Sequence, residues 1–238
     1  MQKPTAIVTG ASKGIGKAIA RKLASLGYNL AIVARNEQQL ENIKNELQTF
    51  GGEYLSLSAD LSEENVFETI IQKTHSAFGR IDLLVNNAGL AHSASIAETG
   101  FETWDKIFRI NARAPFFLCR EAIPFLKKSP NPFIINIGSV VDFKGYALQA
   151  AYASSKHALA GFTKVLAKEV QEDGIRVHLI SPGGVNTEMV SEMRPDIDVQ
   201  KLIDPEEIAD IVEFIITRKG KGTIDHFYIR RQSGKAFD

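Results

Sequence analysis

Apolar residues along this chain alternate between two patterns. Short, nearly unbroken runs read as strands: Thr5-Ala6-Ile7-Val8-Thr9, Asn29-Leu30-Ala31-Ile32-Val33, Tyr54-Leu55-Ser56-Leu57, Ile81-Asp82-Leu83-Leu84-Val85, Phe133-Ile134-Ile135-Asn136-Ile137, Ile175 to Ile180, and Thr223 to Ile229. Between them lie longer amphipathic stretches. One runs from the first glycine turn to Gly27; the next, from Glu37 to Thr49, is capped by Asn36 and ended by Gly51-Gly52. Others span Ser62 to Phe78, Ala150 to Lys168, and a segment capped by Asp204-Pro205 that reaches Arg218. The stretch from Phe101 to Lys128 is different, because after Ala114 its apolar residues occupy nearly every face. Such a helix must be covered on all sides, so part of it is expected to meet another subunit, and Pro115 and Pro124 are expected to bend it. Asn111, in its middle, reads either as a hydrogen-bonded core amide or as a local helix distortion that binds water.

Chemistry gathers where strands end. The first is followed by Gly10-Ala11-Ser12-Lys13-Gly14-Ile15-Gly16 and a helix, which opens a βαβ unit. Glycines in such a turn let backbone N–H groups and a helix N-terminus approach a pyrophosphate, although a glycine turn without a nucleotide has the same spelling. The second strand ends at Ala34-Arg35 rather than at an acid. A carboxylate there would bond a ribose 2′-hydroxyl, whereas an arginine suits a 2′-phosphate. Arg35 and Lys13 together argue for NADP(H) over NAD(H), against the alternative of two solvated surface charges. Asp60, after the third strand, is placed either to bond an adenine amine or to serve its own loop. Asn86-Asn87-Ala88-Gly89, after the fourth, offers amides that can tie strand ends together. Ser181-Pro182-Gly183-Gly184 opens a flexible segment to about Pro195 that can close over a ligand.

Ser139 leaves the fifth strand thirteen residues before Tyr152, and Lys156 stands one helical turn beyond that tyrosine. A phenol titrates near 10, and bringing it near 7 takes about 4 kcal/mol. A cation about 4 Å away at an effective dielectric of about 20 supplies that much as an upper limit, so Lys156 is expected to make Tyr152 acidic. The Ser139 hydroxyl can bond the same substrate oxygen that Tyr152 protonates. An ordinary surface helix carrying Tyr and Lys would share this spacing.

Composition narrows the partners. The 28 lysines and arginines balance 28 aspartates and glutamates, leaving no basic excess for nucleic acid or an anionic membrane surface. No apolar run approaches the roughly 18 residues that span a bilayer, which implies a soluble, unexported, cytoplasmic protein. Cys119 is the sole cysteine and reads as a buried thiol. His75, His92, His157, His178 and His226 show no metal-ligand spacing, and His92 reads as a solvated loop residue.

Thr9-Gly10-x-x-x-Gly14-x-Gly16, Asn86-Asn87-Ala88-Gly89, Asn111, Ser139, Tyr152-x-x-x-Lys156 and Pro182-Gly183 stand in order along one α/β pattern. The set resembles the short-chain dehydrogenase/reductase family over about residues 4 to 230. The resemblance implies one Rossmann-type domain over 1–238, a three-layer, doubly wound α/β fold on a seven-stranded parallel sheet, with 186–204 as a substrate loop or lid. It implies a tetrad of Asn111, Ser139, Tyr152 and Lys156, and a nicotinamide cofactor against Gly10, Ser12, Lys13, Gly14, Ile15, Gly16, Arg35, Asp60, Leu61, Asn87, Ala88, Gly89, Pro182, Gly183, Val185 and Thr187, with Tyr152 and Lys156. Within that set Asp60 would meet the adenine, Ile15 the diphosphate region and Thr187 the carboxamide. The implied activity is NADP(H)-dependent hydride transfer to a small-molecule carbonyl (ketone, aldehyde or 3-oxoacyl type), with the alcohol as product. The implied assembly is a homodimer or homotetramer through the 101–128 and 150–170 helices. The tail Phe227-Tyr228-Ile229-Arg230-Arg231-Gln232-Ser233-Gly234 departs from the Gly-Gly tail of ketoacyl reductases in the family, which leaves an acyl-carrier substrate open. The competing readings are a catalytically silent NADP-binding sensor or scaffold and an epimerase or dehydratase; the latter fits neither the length nor the glycine spacing.

Overall fold

The apolar runs pair side by side. In the computed structural model, which describes residues 2–193 and 197–236, they form seven strands: β1 (Thr5–Thr9), β2 (Asn29–Ala34), β3 (Tyr54–Ser58), β4 (Leu83–Asn86), β5 (Phe133–Ile137), β6 (Arg176–Pro182) and β7 (His226–Ile229). All pair in parallel, in the order β3-β2-β1-β4-β5-β6-β7. Val8 stands opposite both Ile32 and Val85, so β1 is an interior strand with a neighbour on each side. Every residue of β1 and β5 is buried, because helices cover both faces and no strand residue is left to face water.

Successive residues of β1 serve opposite layers. Ala6 and Val8 pack with Ile19 and Leu23 of α1 (Gly14–Ser25) and with Ile208 and Val212 of α8 (Pro205–Thr217). Ile7 packs with Phe67 and Ile71 of α3 (Val66–Phe78), Leu118 and Ala122 of α5 (Ala114–Leu126), and Leu166 of α6 (Ala150–Glu169). Burial at this level makes a truncation such as Leu23→Ala cost about 2–5 kcal/mol. The result is a three-layer, doubly wound α/β fold whose chain direction reverses between β1 and β4, opening a crevice at the carboxyl ends of the strands.

Several boundaries differ from those read in the sequence, each for a local reason. Asn36 does cap α2 (Glu37–Leu47), accepting from the Gln39 N–H at 2.9 Å. α3 starts at Val66 rather than Ser62, because the Asp60 carboxylate accepts the Ser62 N–H at 2.8 Å and holds that stretch in a turn. The Phe101–Lys128 stretch is not one uninterrupted α-helix. It ends as α4 (Phe101–Phe108), passes through a π turn at Arg109–Arg113 and resumes as α5, upstream of both prolines. Pro115 sits in the first turn of α5, where a missing N–H costs nothing, and Pro124 is carried inside it. The last strand pairs only from His226, not from Thr223. Between 186 and 204 the chain forms a short helix α7 (Glu188–Met193) and a 3-10 turn (Val199–Lys201), with Val185 bridged to Ile203. Pro195 lies outside the described residues. No helix among the described residues is long and apolar enough to cross a membrane.

Candidate functional site

The glycine turn is locked by backbone contacts. Gly10 and Gly14 adopt φ of +64° and +53°, which side chains disfavour, and a Cβ on Gly16 would stand 2.2 Å from the Gly10 carbonyl oxygen. A Cβ on Gly10 would meet Asn87 Nδ2 at 2.8 Å, and one on Gly14 would meet Thr187 Cγ2 at 2.9 Å. Asn87 and Thr187 therefore close against the turn from β4 and from the segment after β6. The Thr9 hydroxyl accepts the N–H groups of Asn87 and Ala88, both at 3.0 Å, while the Asn87 amide donates to the carbonyls of Thr9 at 2.9 Å and Gly10 at 3.2 Å. These bonds tie the ends of β1 and β4 together across the crevice, as the amides in the sequence implied.

Asn111 is a hydrogen-bonded core amide, and it sits in a local helix distortion. It is fully buried in the π turn, its Oδ1 accepts the Leu90 N–H at 2.8 Å, and its Nδ2 donates to the Leu90 carbonyl at 2.8 Å and to Ser155 Oγ at 3.0 Å. The widened turn admits the amide, and the amide clamps the loop after β4 to α6. A Cβ on Gly89 would lie 3.6 Å from Asn111 Oδ1 and 3.9 Å from Lys156 Nζ, which puts the tip of that loop beside the lysine. Lys156 is buried and donates to the Ile137 carbonyl at 2.8 Å, at the end of β5.

Ser139 caps the 3-10 turn Val140–Asp142, its hydroxyl accepting the Val141 N–H at 3.4 Å, and that hydroxyl faces the Tyr152 phenol closely enough to favour its ionised form. The expected acidification of Tyr152 is not found. Lys156 Nζ lies 6.0 Å from the Tyr152 ring centroid. Burial pushes the phenol up to about 12, with the Ser139 hydroxyl opposing the rise and the Asp142 charge adding to it. Burial also pulls the Lys156 ammonium down to about 8, against the opposing pull of Asp142. Desolvation thus outweighs the pair attraction for both groups, because each loses water that the other does not replace.

Gly10, Gly14, Gly16, Asn87, Ala88, Gly89, Asn111, Ser139, Tyr152, Lys156 and Thr187 form one connected site at the carboxyl ends of β1, β4 and β5. Val185 is buried, and the Gly183 N–H bonds the Ile229 carbonyl at 2.7 Å, fixing the exit of β6. Arg35 and Asp60 stand apart at the ends of β2 and β3. Arg35 is exposed, and Asp60 is held below the usual carboxylate range mainly by the Ser62 N–H, with a smaller contribution from the Arg35 charge. Lys13, exposed in the turn, is ion-paired with Glu188 of α7. A ladder that sequence reasoning missed runs beneath the site, from Asn86 Nδ2 to Asn136 Oδ1 and from Asn136 Nδ2 to Thr163 Oγ1, each at 2.8 Å. Asn86 also donates to Cys119 Sγ at 3.3 Å, and burial pushes that thiol up to about 12, which leaves it inert. Asp142, also missed, was signalled by its Ser-x-x-Asp spacing from Ser139, which spells a capping box.

The short chain dehydrogenase family model matches residues 4–198. Carbonyl reductase family member 4 of Xenopus laevis is 36% identical over 214 residues, covering 88% of this chain and 89% of that protein. A metagenomic short-chain oxidoreductase solved in complex with NADP is 33% identical and superimposes with a TM-score of 0.84 over 96% of this chain and 97% of its own. The alcohol dehydrogenase of the archaeon Thermococcus sibiricus, complexed with 5-hydroxy-NADP, is 28% identical with a TM-score of 0.90 over 99% of both chains. With the matched glycine turn, amide loop and tyrosine helix assembled at one end of a doubly wound sheet, the chain belongs to the short-chain dehydrogenase family of oxidoreductases.

Proposed function

We propose that the protein is an NADP(H)-dependent carbonyl reductase in which Tyr152 is the proton donor. The observation that carries this reading is the junction of Ser139, Tyr152, Lys156 and Asn111 beside the glycine turn, with Asn111 bonded to Ser155 of the tyrosine helix and Lys156 to the end of β5. The glycine turn fits a dinucleotide: with no side chain possible at Gly10, Gly14 or Gly16, its backbone N–H groups and the start of α1 are left for a diphosphate. Gly10, Ser12, Gly14, Ile15 and Gly16 would hold that part, Asn87, Ala88, Gly89, Val185 and Thr187 the nicotinamide side, and Asp60 and Leu61 the adenine. When bound, the dinucleotide supplies the hydride. Arg35, exposed at the end of β2 with no acid there, and Lys13 support a 2′-phosphate. Lys13 would have to leave Glu188 to reach it.

Ser139 and Tyr152 would hold the substrate oxygen from two sides, stabilising it as negative charge develops there. Tyr152 near 12 is fully protonated at neutral pH but a weaker acid than a free phenol, so the negative charge developing on the substrate oxygen must draw the proton from it. Lys156, next to Gly89, would bond the nicotinamide ribose. Phe143, Tyr146 and Leu148, all exposed on the segment joining Ser139 to Tyr152, favour an apolar ketone or aldehyde. The segment 186–204 would act as the lid. Exposed Phe101, Trp104 and Phe116 on α4 and α5 support a homodimer or homotetramer through these helices and α6.

The test is NADPH consumption across diketones, ketoacyl thioesters, quinones, pteridines and steroids, with NADH as control. Turnover of at least one carbonyl class, lost in Tyr152→Phe while NADPH still binds, is the expected result. NADPH binding with no turnover on any class would move the protein to the sensor or scaffold reading.

A further inference from the structure

Among the described residues, Asp142 is the carboxylate built into the floor of the tetrad. It is 6% exposed, at the end of the 3-10 turn that Ser139 caps. Its Oδ2 accepts the Ser139 N–H at 3.0 Å and the Ser181 hydroxyl from the end of β6, while its Oδ1 is buried without a partner. Ser181 Oγ is in turn 2.7 Å from Nε2 of His226, an exposed residue of β7. With the Ser181 proton committed to an ionised Asp142, the imidazole must donate through Nε2–H, so the chain of bonds has one direction. Gly138 leaves the space: a Cβ there would stand 2.1 Å from Asp142 Oδ2. The charged and titratable groups facing Asp142 are Lys156 and Tyr152 from α6 and His226 from β7, and β6 presents only the neutral Ser181. Lys144, two residues along, is turned to the Tyr228 ring, 5.5 Å from its centroid.

We propose that Asp142 is a positioning residue of this site: it fixes Ser139 through the backbone N–H and holds a buried negative charge beneath the Tyr152–Lys156 pair. The inference rests on the reading of Tyr152 as proton donor, but its physical content is a statement about two titrations in the free chain. Burial raises the phenol and lowers the ammonium; the Asp142 charge raises both. The two causes therefore part company at Lys156. Loosening the site would let water in, bringing Tyr152 down and Lys156 up toward their ordinary values. Removing the Asp142 charge from an intact site would bring both down.

The experiment titrates Tyr152 and Lys156 in the cofactor-free protein between about pH 7 and 12. Tyr152 is read by ultraviolet tyrosinate absorbance as the difference from Tyr152→Phe in each background, and Lys156 by carbon-13 NMR of ε-labelled lysine, assigned by its loss in Lys156→Met. Asp142→Asn is measured beside Asp142→Ser, which removes the charge with less bulk in case the amide does not fold there. The expected result is that both midpoints fall together, each by about one pH unit, or tenfold in the deprotonated fraction at fixed pH. Unmoved midpoints, or a falling Tyr152 with a rising Lys156, would overturn the proposal and leave Asp142 a structural cap. No substrate enters the measurement, so a protein that reduces no carbonyl yet shows the paired fall would sink the reductase reading and leave this inference standing.

Discussion

The glycine-turn half of the site and the tyrosine half are built on opposite principles. Around Gly10–Gly16 the functional groups are backbone amides, the side chains that hold them are neutral (Thr9, Asn87, Thr187), and the charges, Lys13 and Arg35, stay in water. Around Tyr152 the charges are inside: Lys156 and Asp142 are both buried, and burial pulls the ammonium down and pushes the carboxyl up. The first half is a shape that steric exclusion enforces. The second is an electrostatic device whose behaviour depends on how much water each group has lost. Substitutions should therefore act by fit on one side and by charge on the other.

The largest effect is expected at Tyr152. Tyr152→Phe removes the proton donor and little volume, so turnover should fall by about 10²–10⁴-fold while NADPH affinity, read by fluorescence titration, stays within a few-fold. Equal loss of binding and turnover would mean that this half also works by fit. Next comes Gly16→Ala. Its methyl would stand 2.2 Å from a backbone oxygen that has no flexible end to yield, so the turn must shift. Calorimetry should show NADPH binding lost or weakened at least about 100-fold, with stability reduced by about 1–3 kcal/mol. Unimpaired binding would show that the turn holds no dinucleotide.

The buried lysine gives a pH signature that the glycine half lacks. Lys156 sits near 8 when folded and near 10.5 when unfolded, so between these values the unfolded chain binds the extra proton. Its contribution to stability is then full above about pH 10.5 and lost as pH falls through 8. Denaturant melts at pH 8 and pH 10 should show the wild type gaining about 2 kcal/mol relative to Lys156→Met. The opposite slope would contradict burial as the cause of the low value. The smallest effect is expected at the exposed Arg35. Arg35→Ala should weaken NADPH by about tenfold and NADH hardly at all, and equal weakening of both would remove the 2′-phosphate assignment.

How much of this was legible beforehand varies by element. The positions of the strands followed from runs such as Ile134-Ile135 and Leu83-Leu84-Val85, whose unbroken apolarity leaves no polar face for water, whereas the order in which they pair became visible only in the fold. The break in the 101–128 helix was misplaced because prolines are visible as letters, whereas a π turn is set by what Asn111 must reach, namely Leu90 and Ser155. The Ser139-x-x-Asp142 spacing was readable as a cap but not as a charge beneath the tetrad. The Asn86–Asn136–Thr163 ladder has no sequence signature, since its members come from three elements far apart in the chain.

Residue type and spacing alone determined that this protein would wind a parallel sheet, carry a glycine turn after its first strand and set a phenol one turn from an ammonium. Those are local facts, decided by backbone sterics and by the repeat of helix and strand. Only tertiary structure decided what the phenol and the ammonium became. Their acidity depends on distance, on lost water and on the carboxylate brought up from Asp142, and each of these exists only once the strands have brought distant residues together.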